Sequence, residues 1–214
     1  MLLPLPAAKK VPGTDNVSRT EVVKMITSIK LLEANQILAQ VLDSERGSEI
    51  NVKKFCKLAA CSRPTFYAHY GSMRQLSAEL LLKKLDQHLY FATSDYSNGL
   101  KRLLTYMEKD RCFILNLLAL IDAEKGKIKG KEFAARFPQK VEWLLRKKTV
   151  CYVDAHSLSG DYSIKTLNNA AHIIYAILYE WLAEGLQLSA RDVYDRCQLA
   201  IEIVEEQTSK KALL

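Results

Sequence analysis

Apolar residues recur along the chain at intervals that predict helices almost throughout. From Val22 to Leu42 they return roughly every three or four residues and stop near Gly47, which predicts one long helix or two helices joined by a bend. Residues 1–17 contain three of the five prolines and are predicted to form a flexible arm. The first helical segment is therefore expected to begin after residue 17.

Residues 51–70 are predicted to form two short helices joined by a tight turn. Asn51 and Ser62 are suited to cap these helices, because their side-chain oxygens can accept hydrogen bonds from first-turn amides. Gly71 is a natural end for the second helix. A short helix that follows a sharp turn and rests on a supporting helix protrudes enough to enter the major groove of DNA, so this spacing is typical of a helix-turn-helix.

Residues from Ser94 onward continue the helical pattern. Apolar runs over 113–121 and 170–183 predict buried helices, whereas residues 154–164 are predicted to be a loop because they contain serine, glycine and aspartate. Eight glycines and five prolines in 214 residues are too few for a turn-dense β fold. The predicted fold class is therefore all-α.

Positive charge is concentrated in one short window of the sequence. The chain carries 31 Lys and Arg against 24 Asp and Glu, a net charge of +7, which favours anionic partners. No acidic residue lies between Glu49 and Glu79, and the basic residues in this interval are Lys53, Lys54, Lys57, Arg63 and Arg74. Such local clustering is typical of a nucleic-acid footprint, although bases on exposed helix faces also serve ordinary solvation.

Hydropathy and cysteine usage predict a cytoplasmic protein without membrane contact. No stretch reaches the roughly 18 apolar residues of a membrane helix, and the opening segment lacks the preceding charge of a signal peptide. The five cysteines include no C-x-x-C pair, which is typical of reduced thiols. Cys56 and Cys61 lie inside the basic window and allow the alternative of a redox sensor, although both positions read as apolar and buried.

The sequence contains no constellation typical of an enzyme or a metal site. G-x-S-x-G, H-E-x-x-H, P-loop and G-x-G-x-x-G motifs do not occur, and His156 two residues after Asp154 is not a zinc signature. We therefore predict a non-enzymatic protein with no cofactor and no metal. The alternative of an enzyme on a helical scaffold has no candidate catalytic residue.

The window from Ile50 to Leu76 resembles the DNA-binding domain of the TetR family of transcriptional regulators. The matching positions are the cap Asn51, the apolar pair Phe55-Cys56, the turn Ala59-Ala60-Cys61-Ser62, the recognition-helix residues Thr65-Phe66-Tyr67 and Tyr70, and Ser72 with Leu76 in the next helix. Two positions depart from the family pattern: Ala60 replaces the turn glycine, and Met73 replaces a lysine that supports phosphate binding. Arg74 is expected to take over part of that contact.

The resemblance implies a homodimeric, DNA-binding transcriptional regulator, specifically a ligand-responsive repressor of a palindromic operator. Residues 18–75 would form a three-helix helix-turn-helix domain, and residues 76–214 a helical dimerisation and effector-binding domain. The segment Tyr179–Ser189 and the capped helix after it are similar to the last two helices of many family members, where two subunits form a four-helix interface. The dimer contact is therefore expected around residues 166–207, and the expected partner is double-stranded DNA.

The resemblance also assigns roles to individual residues. Arg63 and Thr65 are expected at base edges or phosphates, and Tyr67 and His69 on the DNA backbone. The full set of expected DNA contacts is Asn51, Lys53, Lys54, Ser62, Arg63, Pro64, Thr65, Tyr67, His69 and Arg74. Phe66 and Tyr70 are expected to hold the two helices together.

An effector site is expected among aromatic residues of the C-terminal half. Its candidates are Tyr152, His172, Tyr175 and Tyr179, and the alternative is that these side chains serve ordinary core and dimer packing. A second function also stays open, that of a helical regulator that binds other proteins and has lost operator binding. Met73 in place of the lysine motivates this alternative.

Overall fold

The computed structural model describes residues 34–42, 50–89, 95–123, 131–157 and 162–209, and every regular element in these ranges is a helix. Residues 34–42 belong to α1. The following helices are α2 Val52–Leu58, α3 Arg63–Tyr70, α4 Met73–His88, α5 Tyr96–Lys109, α6 Arg111–Ala123, α7 Lys131–His156, α8 Ile164–Ala183 and α9 Ala190–Ser209. The predicted all-α fold is confirmed.

Several predicted boundaries differ from the structure or lie beyond it. The predicted arm at residues 1–17 and both ends of the predicted first helix lie outside the described residues. The predicted loop at 154–164 is shorter, because α7 continues through His156. The boundary predicted between residues 75 and 76 falls in the first turn of α4, so that this helix joins the helix-turn-helix to the C-terminal helices.

Side-chain caps fix the start of six of the described helices. Asn51 Oδ1 accepts a hydrogen bond from the Lys54 amide at 3.0 Å, and Ser62 Oγ accepts one from the Thr65 amide at 3.2 Å. The remaining four caps follow the same spacing and are Ser72 to the Gln75 amide at 3.1 Å, Asp95 to the Asn98 amide at 2.6 Å, Ser163 to the Thr166 amide at 3.3 Å and Ser189 to the Asp192 amide at 3.2 Å. Each cap supplies an acceptor for a first-turn amide that has no partner within its helix.

The C-terminal helices share one apolar core that surrounds α4 and α8. Helix α4 packs against α5, α6 and α7, whereas α8 lies between α7 and α9. Two polar groups within this core have hydrogen-bond partners: the Tyr96 hydroxyl lies 2.7 Å from Thr149 Oγ1, and Trp181 Nε1 donates to the Leu188 carbonyl at 3.1 Å. Burial raises the pKa of the Tyr96 hydroxyl, which therefore stays protonated.

Candidate nucleic-acid interface

A small aromatic cluster sets the position of α3. Phe66 is fully buried, and its ring centroid lies 5.5 Å from that of Phe55 on α2 and 5.4 Å from that of Tyr70. These edge and tilted contacts are the arrangements that aromatic pairs prefer. The predicted core role of Phe66 is confirmed, and the side of α3 opposite this cluster faces outward.

The outward side of α3 carries polar and aromatic groups. Arg63, Thr65, Tyr67 and His69 are all exposed, and Tyr67 has 53% of its surface accessible. No acidic residue occupies the first turn of α3, so the helix dipole and Arg63 make the helix start electropositive. This surface has the charge and the hydrogen-bonding groups that a DNA backbone requires.

Nine of the ten residues predicted to contact DNA reach the surface at the starts of α2 and α3 or along α3. The exposed ones are Asn51, Lys53, Ser62, Arg63, Pro64, Thr65, Tyr67 and His69, and Lys54 is half-buried. Two of them also have a structural role, since Asn51 caps α2 and Ser62 caps α3. The Ser62 and Thr65 hydroxyl oxygens lie 2.8 Å apart, which orients both at the start of α3.

Arg74 is the exception, and its predicted phosphate contact is incompatible with its position. Only 6% of its surface is exposed, and its Nε and Nη2 atoms are buried without a hydrogen-bond partner. Met73 is also buried, at 3% exposure. The side chains of Met73 and Arg74 in the first turn of α4 are therefore both buried in the protein. Neither of them replaces the phosphate-binding lysine of the family pattern.

Replacement of Arg74 with methionine is expected to raise the free energy of unfolding by about 1–3 kcal/mol, because it removes a charged group that is buried without partners. Arg63→Met is the matched control at an exposed position and is expected to change stability by less than about 0.5 kcal/mol. Chemical denaturation of both variants measures the difference. A loss of stability in Arg74→Met would mean that the guanidinium has a stabilising partner.

The turn between α2 and α3 adopts the backbone conformation that the family pattern assigns to glycine. Ala60 has φ of 47°, in the left-handed region that disfavours a side chain. The Cys61 amide donates to the Cys56 carbonyl at 3.0 Å and closes the turn. Alanine therefore adopts the conformation at an energetic cost that glycine would avoid.

Ala60→Gly is expected to raise the free energy of unfolding by about 0.5–1 kcal/mol, since relief of left-handed strain exceeds the added entropy of the unfolded chain. Ala59→Gly is the matched control, because Ala59 has φ of −80° and gains nothing from glycine. Thermal and urea unfolding of the two variants compares them directly. Equal destabilisation by both substitutions would contradict a strained turn.

Cys56 and Cys61 lie together beneath this turn with free thiols. Burial raises the pKa of the Cys61 thiol, and a hydrogen bond with Cys56 raises it further. Cys56 is buried, whereas Cys61 is half-buried, which departs from the fully buried position predicted for it. A raised thiol pKa lowers the thiolate fraction that oxidation requires, so the geometry gives the redox-sensor alternative no support.

An apolar cavity of about 550 Å³ opens between α6, α7 and α8. Tyr175 and Tyr179 lie in its wall, and burial raises the pKa of the Tyr175 hydroxyl. The apolar side chains that line it are Leu115, Leu118, Ala119, Ile121, Phe137, Pro138, Val141, Leu178, Leu182 and Ala183. Asp122 contributes a carboxylate. The cavity has the size and composition of a small-molecule site.

The four predicted effector residues do not share this cavity. Tyr152 is buried elsewhere on α7, where its ring stacks on His156 with centroids 4.4 Å apart. His172 is exposed, and its Nδ1 lies 2.8 Å from the Glu142 carboxylate, which lowers the pKa of that carboxyl group. Tyr152 and His172 therefore lie outside the lining of this cavity, although the His172 ring centroid lies 6.1 Å from that of Tyr175, and the effector role expected for all four residues stays a prediction.

The apolar lining from α6 and α7 was missed by the sequence analysis. The run 113–121 reads as a buried helix whether it lines a cavity or fills a core, since both require apolar side chains. The sequence pattern contains no signal that separates the two. Trp143 on α7 is a further case that residue type does not reveal, because 60% of its surface is exposed.

The described residues contain neither a membrane-spanning helix nor a metal-binding cluster. Within the described part of the chain, no helix is both long and apolar enough to cross a membrane. In the same ranges, no cluster of three or more His, Cys, Asp or Glu side chains is arranged to hold a metal ion.

Comparison with solved structures identifies the class of fold. The chain matches a TetR family repressor, AlkX from Dietzia sp. strain DQ12-45-1b, which is implicated in biodegradation of n-alkanes, with a TM-score of 0.58 and 12% identity. The match covers 82% of this chain and 95% of that chain. No family model matches the sequence, and no curated protein matches it. The chain therefore has a TetR-like fold, as its resemblance implied.

Proposed function

We propose that the protein is a DNA-binding transcriptional regulator that acts as a repressor and reads DNA with α3. The observation that carries the proposal is the outward face of this helix, where Arg63, Thr65, Tyr67 and His69 are exposed while Phe66 anchors it. The acid-free interval between Glu49 and Glu79 surrounds that face with positive charge. The TetR-like fold supports the same role. No catalytic activity is proposed.

A homodimer built on α8 and α9 completes the proposal. Ile173 on α8 and Leu199 on α9 are exposed apolar residues, with 39% and 65% of their surfaces accessible. The side chains of Glu180 and Arg196 link the two helices at 3.7 Å. Two copies paired by this face would carry two α3 helices, which suits a palindromic operator with half-sites about 34–36 Å apart.

Leu199→Glu is expected to shift the protein from dimer to monomer, because it buries a carboxylate in the apolar contact between copies. Leu58→Glu is the matched control, since Leu58 is 52% exposed on α2, away from the dimer face. Sedimentation velocity at several concentrations measures the mass. A Leu199→Glu variant with the mass of the parent would contradict the proposed interface.

The cavity between α6, α7 and α8 is the proposed effector site. Its apolar lining suits an apolar molecule with one polar group that can pair with the Tyr175 or Tyr179 hydroxyl. Such a ligand would relieve repression only if it bound one state of the dimer more tightly than the other. The favoured state would be the one in which the spacing of the two α3 helices does not fit DNA.

The proposed compartment is the cytoplasm, where DNA is found and the five free cysteines stay reduced.

Selection of bound sequences from random DNA duplexes tests the proposal. We expect enrichment of a site with two-fold symmetry, since each subunit of the dimer contributes one α3 helix.

The second candidate function is that of a regulator that binds other proteins. The burial of Met73 and Arg74 favours it, because the start of α4 then offers no exposed charge to DNA. Selection without enrichment of any sequence would favour this second candidate.

A further inference from the structure

A surface groove of about 820 Å³ lies between α4 and α7, and its lining includes no residue of α2, α3, α8 or α9. Leu82 and Leu144 contribute apolar surface to it, and Trp143 stands at its wall. Trp143 exposes 60% of its surface, although tryptophan side chains are highly buried on average. Neither the DNA-binding role nor the effector cavity uses this groove.

The groove is strongly positive. Lys83, Lys140, Lys147 and Lys148 lie along it, and Asp86 is the one acidic residue in its lining. That carboxylate is already paired, because Lys148 Nζ lies 2.7 Å from its Oδ1. The ammonium group of Lys147 lies 5.0 Å from the centre of the Trp143 ring, so the indole is flanked by positive charge.

The combination of a concave apolar surface, an exposed indole and several ammonium groups selects one kind of partner. Duplex DNA presents a rigid charged backbone and would leave the leucines and the indole unfilled. An anionic membrane surface is broad and flat and does not enter a groove. A peptide with acidic residues around an apolar side chain satisfies both features, since tryptophan is a frequent anchor of protein interfaces and lysines steer acidic partners.

We propose that this groove is a docking site for an acidic peptide segment of a partner protein. An apolar side chain of the segment packs against Trp143 and Leu144, while its carboxylates face Lys83, Lys140 and Lys147. The proposal goes beyond DNA binding and does not depend on it. It gives the protein a second contact surface on α4, the helix that also follows α3.

Intrinsic fluorescence tests the proposal directly, because the chain has two tryptophans and they differ sharply in exposure. Trp181 is 1% exposed with its Nε1 bonded to a carbonyl, so changes in emission report on Trp143. The probe is a synthetic eight-residue peptide, Asp-Glu-Glu-Leu-Phe-Asp-Glu-Leu, without tryptophan. The control probes are a glutamate-only peptide of equal charge, a random DNA duplex and vesicles of phosphatidylserine and phosphatidylcholine.

We expect the mixed peptide to shift the Trp143 emission saturably, and the Lys140→Glu/Lys147→Glu variant to bind it at least ~10-fold more weakly, because two attractive charges become repulsive. Lys109→Glu is the matched control at an exposed position on α5 and should leave the affinity unchanged. Circular dichroism establishes that both variants are folded.

Three results would overturn the proposal. The mixed peptide could leave the emission unchanged, which would mean that the groove does not bind it. Undiminished affinity in the double variant would place binding elsewhere. A glutamate-only peptide, the duplex or the vesicles could bind as tightly as the mixed peptide, which would show that the groove responds to charge alone.

Discussion

Phe66→Ala is expected to lower the free energy of unfolding by about 3–5 kcal/mol, the largest stability effect that we predict for the helix-turn-helix. Phe66 is fully buried, and its ring meets the rings of Phe55 and Tyr70 at centroid distances of 5.5 and 5.4 Å. The truncation removes the only fully buried side chain of α3, so the helix loses its attachment to α2. Urea denaturation followed by circular dichroism measures the loss.

Tyr67→Ala is the control for this substitution. Tyr67 is the next residue of α3 and also an aromatic one, but 53% of its surface is exposed. Its removal is expected to cost less than about 1 kcal/mol, because little apolar surface returns to water. Equal losses in the two variants would mean that α3 is not anchored through Phe66.

Arg63→Ala is expected to weaken binding to the selected operator by about 1–3 kcal/mol, or roughly 5- to 150-fold, and to relax the sequence preference at the base it reads. Arg63 is the first residue of α3, is exposed, and follows the Ser62 cap that fixes the start of the helix. Its guanidinium therefore lies at the end of α3 that would enter the groove first in the proposed complex. Fluorescence anisotropy with operator and mismatched duplexes measures both effects.

Lys53→Ala provides the contrast to Arg63→Ala. Lys53 lies at the start of α2, is exposed, and is proposed to contact a phosphate. Its loss should weaken binding to all duplexes alike, since phosphates carry no sequence information. An Arg63→Ala variant that kept both the affinity and the preference of the parent would remove Arg63 from the proposed DNA contacts.

Local signals allowed the helix-turn-helix to be predicted from the sequence. The caps at Asn51 and Ser62 each join a side chain to an amide three residues later, so their partners are fixed by the sequence itself. Ala60 was likewise placed at the glycine position of the turn, and its φ of 47° lies in the left-handed region. Elements whose contacts lie within a few residues are predictable in this way.

The orientation of longer helices was not predictable, because it depends on contacts between distant residues. Arg74 was expected at the surface because it is charged, yet α4 turns it inward beside Met73. Trp143 is a large apolar side chain, yet α7 turns it outward. Tyr152 and Tyr175 were given one role, but the packing of α7 and α8 separates them. Residue type alone does not determine which face of a helix is covered.

The salt dependence of operator affinity tests the central claim most directly. Lys53, Lys54 and Arg63 supply three cations per subunit to the proposed DNA surface. Two subunits would neutralise about six phosphates, so the logarithm of the association constant should fall with the logarithm of salt concentration with a slope of about −5. A slope near zero, measured by anisotropy across a potassium chloride series, would contradict DNA binding through α3.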